Sequence, residues 1–346
     1  LYVKAEGAFD EALALEPTSD VALAGAGALA AARHDFAGAL DLASRALTEN
    51  PHSATALAVR ADALTELGRY DEALDVLRAM ADVRPGVDVS TRASYAFELR
   101  GDVDRARAAL EEAAAIATLP GDIAFAHHHL GQIAFSLGDL DEARRSYDAA
   151  VGADPSYLPA VAGRAAVLAA SGDATAALAE LRGVVERLPL PEFLIAYGEL
   201  LEATRQVEQA REQYAVVRAT QALFAANGQD VDTELALFEA DHGTPAAAVA
   251  AAAAAYQLRP RSVVTQDAYA WALHKAGRSA EALPVARDAL RLGWRNPAML
   301  ARVGTIEAAA GDPAAARRLL AEALALNPSF SPLHAPRAAA LLASLR

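Results

Sequence analysis

No cysteine occurs in the 346 residues, which excludes disulfides and thiolate metal sites and leaves the redox compartment open. Lysine is almost missing as well, with Lys4 and Lys275 its two occurrences. Acidic residues outnumber Lys plus Arg by 45 to 31, a formal charge of −14. Nucleic acid and anionic membrane bind through clustered cations, so neither suits this chain as a main partner. The longest apolar run, around Pro245 to Tyr256, is too short for a bilayer core, which takes about 20 residues, so no direct membrane insertion is expected. Aromatics make up only 6% and strand formers are sparse, while alanine and leucine dominate. Those two residues lose little on entering a helix, and an all-α chain is expected.

Motifs that carry chemistry are lacking too. There is no nucleophile elbow, no Walker loop, no HExxH pair and no compact Ser-His-Asp arrangement, so no catalytic residue is assigned. "GAGALA" at Gly25–Ala30 matches a loose dinucleotide fingerprint, but it lies inside a helix rather than between strand and helix. "HHH" at His127–His129 cannot chelate one ion, because adjacent helical residues point in different directions. "NGQDVDTE" lacks the length and central glycine of a calcium loop, and Asp230 or Asp232 reads instead as a helix cap. No metal and no cofactor is expected.

What the chain does have is a beat. Ala5, Ala39, Ala73, Ala106, Ala143, Ala177, Ala210, Ala248, Ala282 and Ala316 recur at intervals of 34, 34, 33, 37, 34, 33, 38, 34 and 34. A proline follows on the same rhythm at Pro17, Pro51, Pro85, Pro120, Pro155, Pro189, Pro260 and Pro328. In "GDLDEARRSYDAAVGADP", Gly138 ends one helix, Asp139 caps the next and Pro155 stops it. Each unit reads as two amphipathic helices around a glycine turn. The stretch from near Gln206 to Ala226 reads as one extended second helix, closed by Asn227-Gly228, and "ATLPGD" as a longer loop.

A period near 34 with this pattern resembles the tetratricopeptide repeat, of an alanine-rich bacterial type, over essentially the whole chain. The resemblance implies a right-handed α-solenoid of about ten helix-turn-helix repeats. Residues 1–17 are expected to be the second helix of a truncated repeat, 20–330 nine repeats, and 331–346 a capping helix. The absent partner helix is expected upstream of Leu1.

The resemblance further implies a concave groove lined by first helices, which holds an extended peptide or a partner helix. Repeat by repeat, the groove residues are Arg92, Tyr95 and Glu98, then Phe125, His128, His129, Gln132 and Phe135, with Trp271 and His274 near the end. Glu199, Glu202, Asp230, Glu234 and Asp241 are expected to form an acidic rim. The lysine, asparagine and arginine set of a two-carboxylate clamp is missing. The reading is a non-catalytic scaffold for a protein or peptide with apolar anchors and basic residues. Two alternatives stand beside it: a sensor or regulatory segment of a larger, membrane-anchored protein, and a small-molecule receptor or enzyme using Tyr95, Phe125 and His128. The compartment is left open, the cytoplasm being slightly favoured over export or a membrane tether, and the oligomeric state has no signal in the sequence.

Overall fold

The computed structural model describes residues 2–226 and 233–345. Among these, α1 (Tyr2–Leu15) precedes nine helical hairpins and a last helix. The first four hairpins are α2 (Asp20–Ala32) with α3 (Phe36–Glu49), α4 (Ala54–Glu66) with α5 (Tyr70–Val83), α6 (Val87–Glu98) with α7 (Val103–Ile116), and α8 (Pro120–Ser136) with α9 (Leu140–Ala153). Next come α10 (Leu158–Ala170) with α11 (Ala174–Arg187), α12 (Pro191–Ala203) with α13 (Val207–Ala226), and α14 (Thr233–His242) with α15 (Pro245–Leu258). Then follow α16 (Val263–Lys275) with α17 (Ser279–Ala289), α18 (Pro297–Ala309) with α19 (Pro313–Leu326), and finally α20 (His334–Ser344). The architecture is the all-α solenoid that the beat implies.

The periodic alanines sit where helix backbones approach. From Ala39 to Ala316 every one is at most 1% exposed, while Ala5 on α1 is partly open. Tyr147 provides the opposite shape: its ring wedges against Gly131 and Gly163, where a Cβ would overlap it. Five second helices start from an aspartate whose carboxylate accepts the backbone N–H three residues on: Asp35, Asp102, Asp139, Asp173 and Asp312. Each such cap stabilises its helix by about 1 kcal/mol.

The superhelix winds tightly enough to touch itself. The Val263 N–H donates to the Tyr70 hydroxyl at 2.9 Å, and Arg259 pairs with Glu66 at 3.0 Å, each across 193 residues. Trp294 Nε1 donates to Glu98 at 3.2 Å across 196 residues, and Asn327 Nδ2 to the Phe135 carbonyl at 2.6 Å across 192. The near-constant offset, roughly five to six repeats, is one superhelical turn. Along this seam the hairpin turns of α4–α5, α6–α7 and α8–α9 meet the chain after α15, α17 and α19. Three glycines permit the approach: Gly68, Gly101 and Gly138, at φ +75°, +69° and +76°. A Cβ on them would run into the backbone of Arg261, Gly293 and Leu326 respectively. The C-terminal repeats are thus brought back against α4–α9 and their hairpin turns.

Candidate functional site: a partly open chamber in the superhelix

Successive first helices carry their inward residues onto one concave wall, and the returning C-terminal repeats supply the facing wall. Between them lies a chamber of about 780 Å3. Asp62, Thr65 and Glu66 enter it from α4, Arg92, Tyr95 and Glu98 from α6, and Phe125 and His129 from α8. Leu237, Arg259 and Val264 close the opposite side, with His34 and Phe36 at one end.

Most charge in the chamber is already matched. Arg92 donates to both oxygens of Asp62 at 2.8 and 2.9 Å, a planar bidentate pair. Arg259 donates to Glu66 and, at 2.9 Å, to the Thr233 hydroxyl, while its guanidinium lies 5.1 Å above the Phe36 ring. Burial pushes the Glu98 carboxyl up, partly offset by the hydrogen bond from Trp294. Burial also pushes the Tyr95 phenol far above its usual range, with neighbouring Glu66 adding to the effect. The His129 imidazole is pushed down by burial, against a hydrogen bond with Gln132, so it is neutral at pH 7. It packs on Phe125 with ring centroids 4.2 Å apart. Phe125 itself is 39% exposed, a large apolar side chain facing open space. Nδ1 of His34 is buried with no hydrogen-bond partner among the described residues.

The expected site residues divide into four groups. Arg92, Tyr95, Glu98, Phe125 and His129 share the chamber. His128, one residue and about 100° around the helix from His129, turns inward instead, against Tyr147 and Tyr157. Desolvation, with His129 nearby, lowers its pKa to about 3. Gln132 is exposed and Phe135 lines a second, apolar cavity of about 350 Å3. Trp271 is buried and donates to Asp241 at 3.1 Å, and His274 meets the Ser279 hydroxyl at 3.0 Å.

The carboxylates read as a rim are engaged internally. Glu199 lies 3.3 Å from His242 Nε2 and 3.6 Å from His334 Nε2. Burial opposes its ionisation, but these two hydrogen-bonding histidines hold its carboxyl below the ordinary range. Asp241 accepts from Lys275 at 3.1 Å, and Glu202 from the Tyr214 hydroxyl at 3.1 Å. Asp230 and the Glu234 side chain lie outside the described residues, as do Asn227, Gly228 and Asp232. Asp62 was missed by sequence reasoning although it sits one first helix before Arg92, a spacing that could have found it. Arg259 and Val264 had no signal, since only the seam brings them in.

Such a chamber can hold an apolar group against aromatic faces and satisfy polar atoms at its margin. Among the described residues no three His, Cys, Asp or Glu side chains are grouped to hold a metal ion, and no helix is long and apolar enough to cross a membrane.

Residues 30–91 and residues 124–157 each match a family model described as tetratricopeptide repeat. No curated protein matches the sequence. Among solved structures, human IFIT1 in its dimer with m7Gppp-AAAA is 17% identical at a TM-score of 0.56, the alignment covering 84% of this chain and 68% of that one. Cut9-Hcn1, a hetero-tetramer of the APC/C, gives 18% identity and a TM-score of 0.47 over 89% of this chain. This chain spans 58% of the length of that relative. Yeast Tom70 gives 15% and 0.44 over 99% of this chain and 92% of its own. At these identities the IFIT1 likeness establishes the fold alone.

Proposed function

We infer that this chain, a tetratricopeptide-repeat protein, is a non-catalytic protein-binding module that takes a short partner segment into the chamber between α4, α6, α8 and the returning C-terminal repeats. Tetratricopeptide folds generally mediate protein–protein interactions. The observation that carries the reading is the half-exposed Phe125, set against His129 and beside Tyr95 in an opening of about 780 Å3. An aromatic anchor ringed by satisfied polar groups is the usual make-up of a binding hot spot. The Asp62 side chain stays 45% exposed beside its arginine, leaving carboxylate lone pairs for a basic residue of the partner. The net charge of −14 speeds the encounter with a basic segment and makes it salt-sensitive. Paired arginines argue against the polyanion that accompanies IFIT1 in its structure.

The test uses immobilised full chain to capture partners, then measures affinity for Phe125→Ala against the convex-face control Arg145→Ala. Loss of about 2 kcal/mol with the first and none with the second supports the chamber. Equal affinity of both variants would overturn it. Tyr95 is the poorer probe, being packed into the wall.

The chamber volume also falls within the roughly 300–1,000 Å3 of small-molecule sites, which favours a small uncharged ligand as the second reading. A metabolite screen by thermal shift, repeated on Phe125→Ala, separates the two.

A further inference from the structure

Between α19 and α20, and on into the first turn of α20, the chain reads "NPSFSPLHAP", Asn327 to Pro336. Proline at 328 and 332 removes two backbone donors and resists helix, so residues 327–333 run through turns until α20 begins at His334, with Pro336 in its first turn. It does not lie on the outer surface. Asn327 is 1% exposed and donates from Nδ2 to the Phe135 carbonyl on α8. Beyond it, residues Pro328 to Pro336 cross over α10 and α12. The far end is tied by charge: His334 Nε2 lies 3.6 Å from both Glu199 Oε1 and Asp241 Oδ2, and Arg337 Nη2 lies 3.7 Å from Glu202 Oε1. A segment rich in proline, apolar in its middle and basic at its end therefore rests on inward-facing helices, in the position of a bound peptide.

The fit is incomplete. Beneath the segment remains an apolar cavity of about 350 Å3, floored by Ala162, Ala165, Ala166 and Ala169 and bounded by Phe135 and Leu200. Alanine here keeps the floor low, and the covering segment lines the cavity with two small side chains, Ser329 and Ser331.

We propose that α8, α10 and α12 form a second binding strip that the chain's own 327–337 segment covers, and that its exchange partner is an extended, proline-bearing segment with a larger apolar side chain over the alanine floor and a basic residue for Glu199, Glu202 and Asp241. This rests on the reading of the chain as a binder of protein segments, but not on the chamber, since the two cavities share no lining residue. The covering segment has the advantage of being tethered, equivalent to a local concentration on the order of millimolar. A competitor prevails by filling the void.

The experiment uses the full chain, its Asn327→Ala/His334→Ala/Arg337→Ala variant, and two fluorescent synthetic peptides. One carries residues 327–337; the other is the same with Ser331→Leu. The expected result is weak binding to the unchanged chain and at least about tenfold tighter binding to the variant with its ties removed. The leucine peptide binds about tenfold tighter again, the effect of burying one such side chain. Adding Ala166→Leu to the untied variant, which fills the floor, abolishes the gain while circular dichroism stays helical. Absence of peptide binding to the untied, folded variant would overturn the proposal. So would binding that survives Ala166→Leu but is lost with Phe125→Ala, which would place the peptide in the chamber instead. Should Phe125→Ala leave a captured partner bound while these peptide results hold, the chamber reading fails and this one stands.

Discussion

His128 and His129 follow one another on α8, yet one is enclosed by tyrosines and the other meets the chamber. With a folded pKa near 3 against an unperturbed 6.5, His128 resists a proton that the unfolded chain accepts. Stability from this group is therefore complete above about pH 6.5 and falls as pH drops toward 3, by about 1.4 kcal/mol per pH unit. Glu98, raised by burial, acts in the opposite sense, so the comparison needs a variant. Denaturation at pH 7.5 and pH 5 is expected to show a shallower acid loss for His128→Gln than for the unchanged chain. Equal losses would mean the imidazole is not held neutral. The glycines allow a second test at this scale. Gly172 and Gly101 both have positive φ, at +92° and +69°, but a Cβ on Gly172 meets open space, whereas on Gly101 it meets Gly293. Gly172→Ala is expected to cost about 1–2 kcal/mol from backbone strain alone. Gly101→Ala should cost more in urea denaturation, and the excess measures the seam.

For each hairpin, the instructions were local and legible. The alanine beat, the Gly-Asp turn and the closing proline state where one helix ends and the next begins. Asp139 illustrates it, a cap named from sequence and found accepting the Glu142 N–H at 3.0 Å. Asp139→Ala is expected to lower stability by about 1 kcal/mol, read as a shifted denaturation midpoint with an unchanged slope. The extended α13 was equally visible, because an insertion of about one helical turn keeps the helical period. Orientation within a helix was harder. Placing His128 toward the groove required knowing which neighbours compete for its face, and Tyr147 and Tyr157 lie on other helices. The engagement of Glu199 and Asp241 was hidden for the same reason, since His334 is 135 and 93 positions away from them in the sequence.

The seam belongs to the whole molecule, and nothing in a 34-residue window announces it. Gly68, Gly101 and Gly138 already had a sufficient local reason to be glycine, which masked their second role. Ordinary solenoids are stabilised by neighbours only, so damage stays near its origin. Here it should travel. Trp294→Ala removes the bond to Glu98 and is expected to speed amide exchange around residues 98–101 as well as around 294, measured by hydrogen–deuterium exchange. Faster exchange confined to the C-terminal repeats would show that the seam carries no coupling. The same feature bears on how such a chain can change over generations. Repeat arrays without a seam tolerate gain or loss of a unit, because each unit asks only for a neighbour. In this molecule, deleting one hairpin from α10 to α15 would shift Val263, Trp294 and Asn327 by one repeat against Tyr70, Glu98 and Phe135, and Gly68, Gly101 and Gly138 would face the wrong stretch of backbone. Copy number is thereby fixed: the chain behaves less like a string that can be lengthened than like a coil with a counted number of turns.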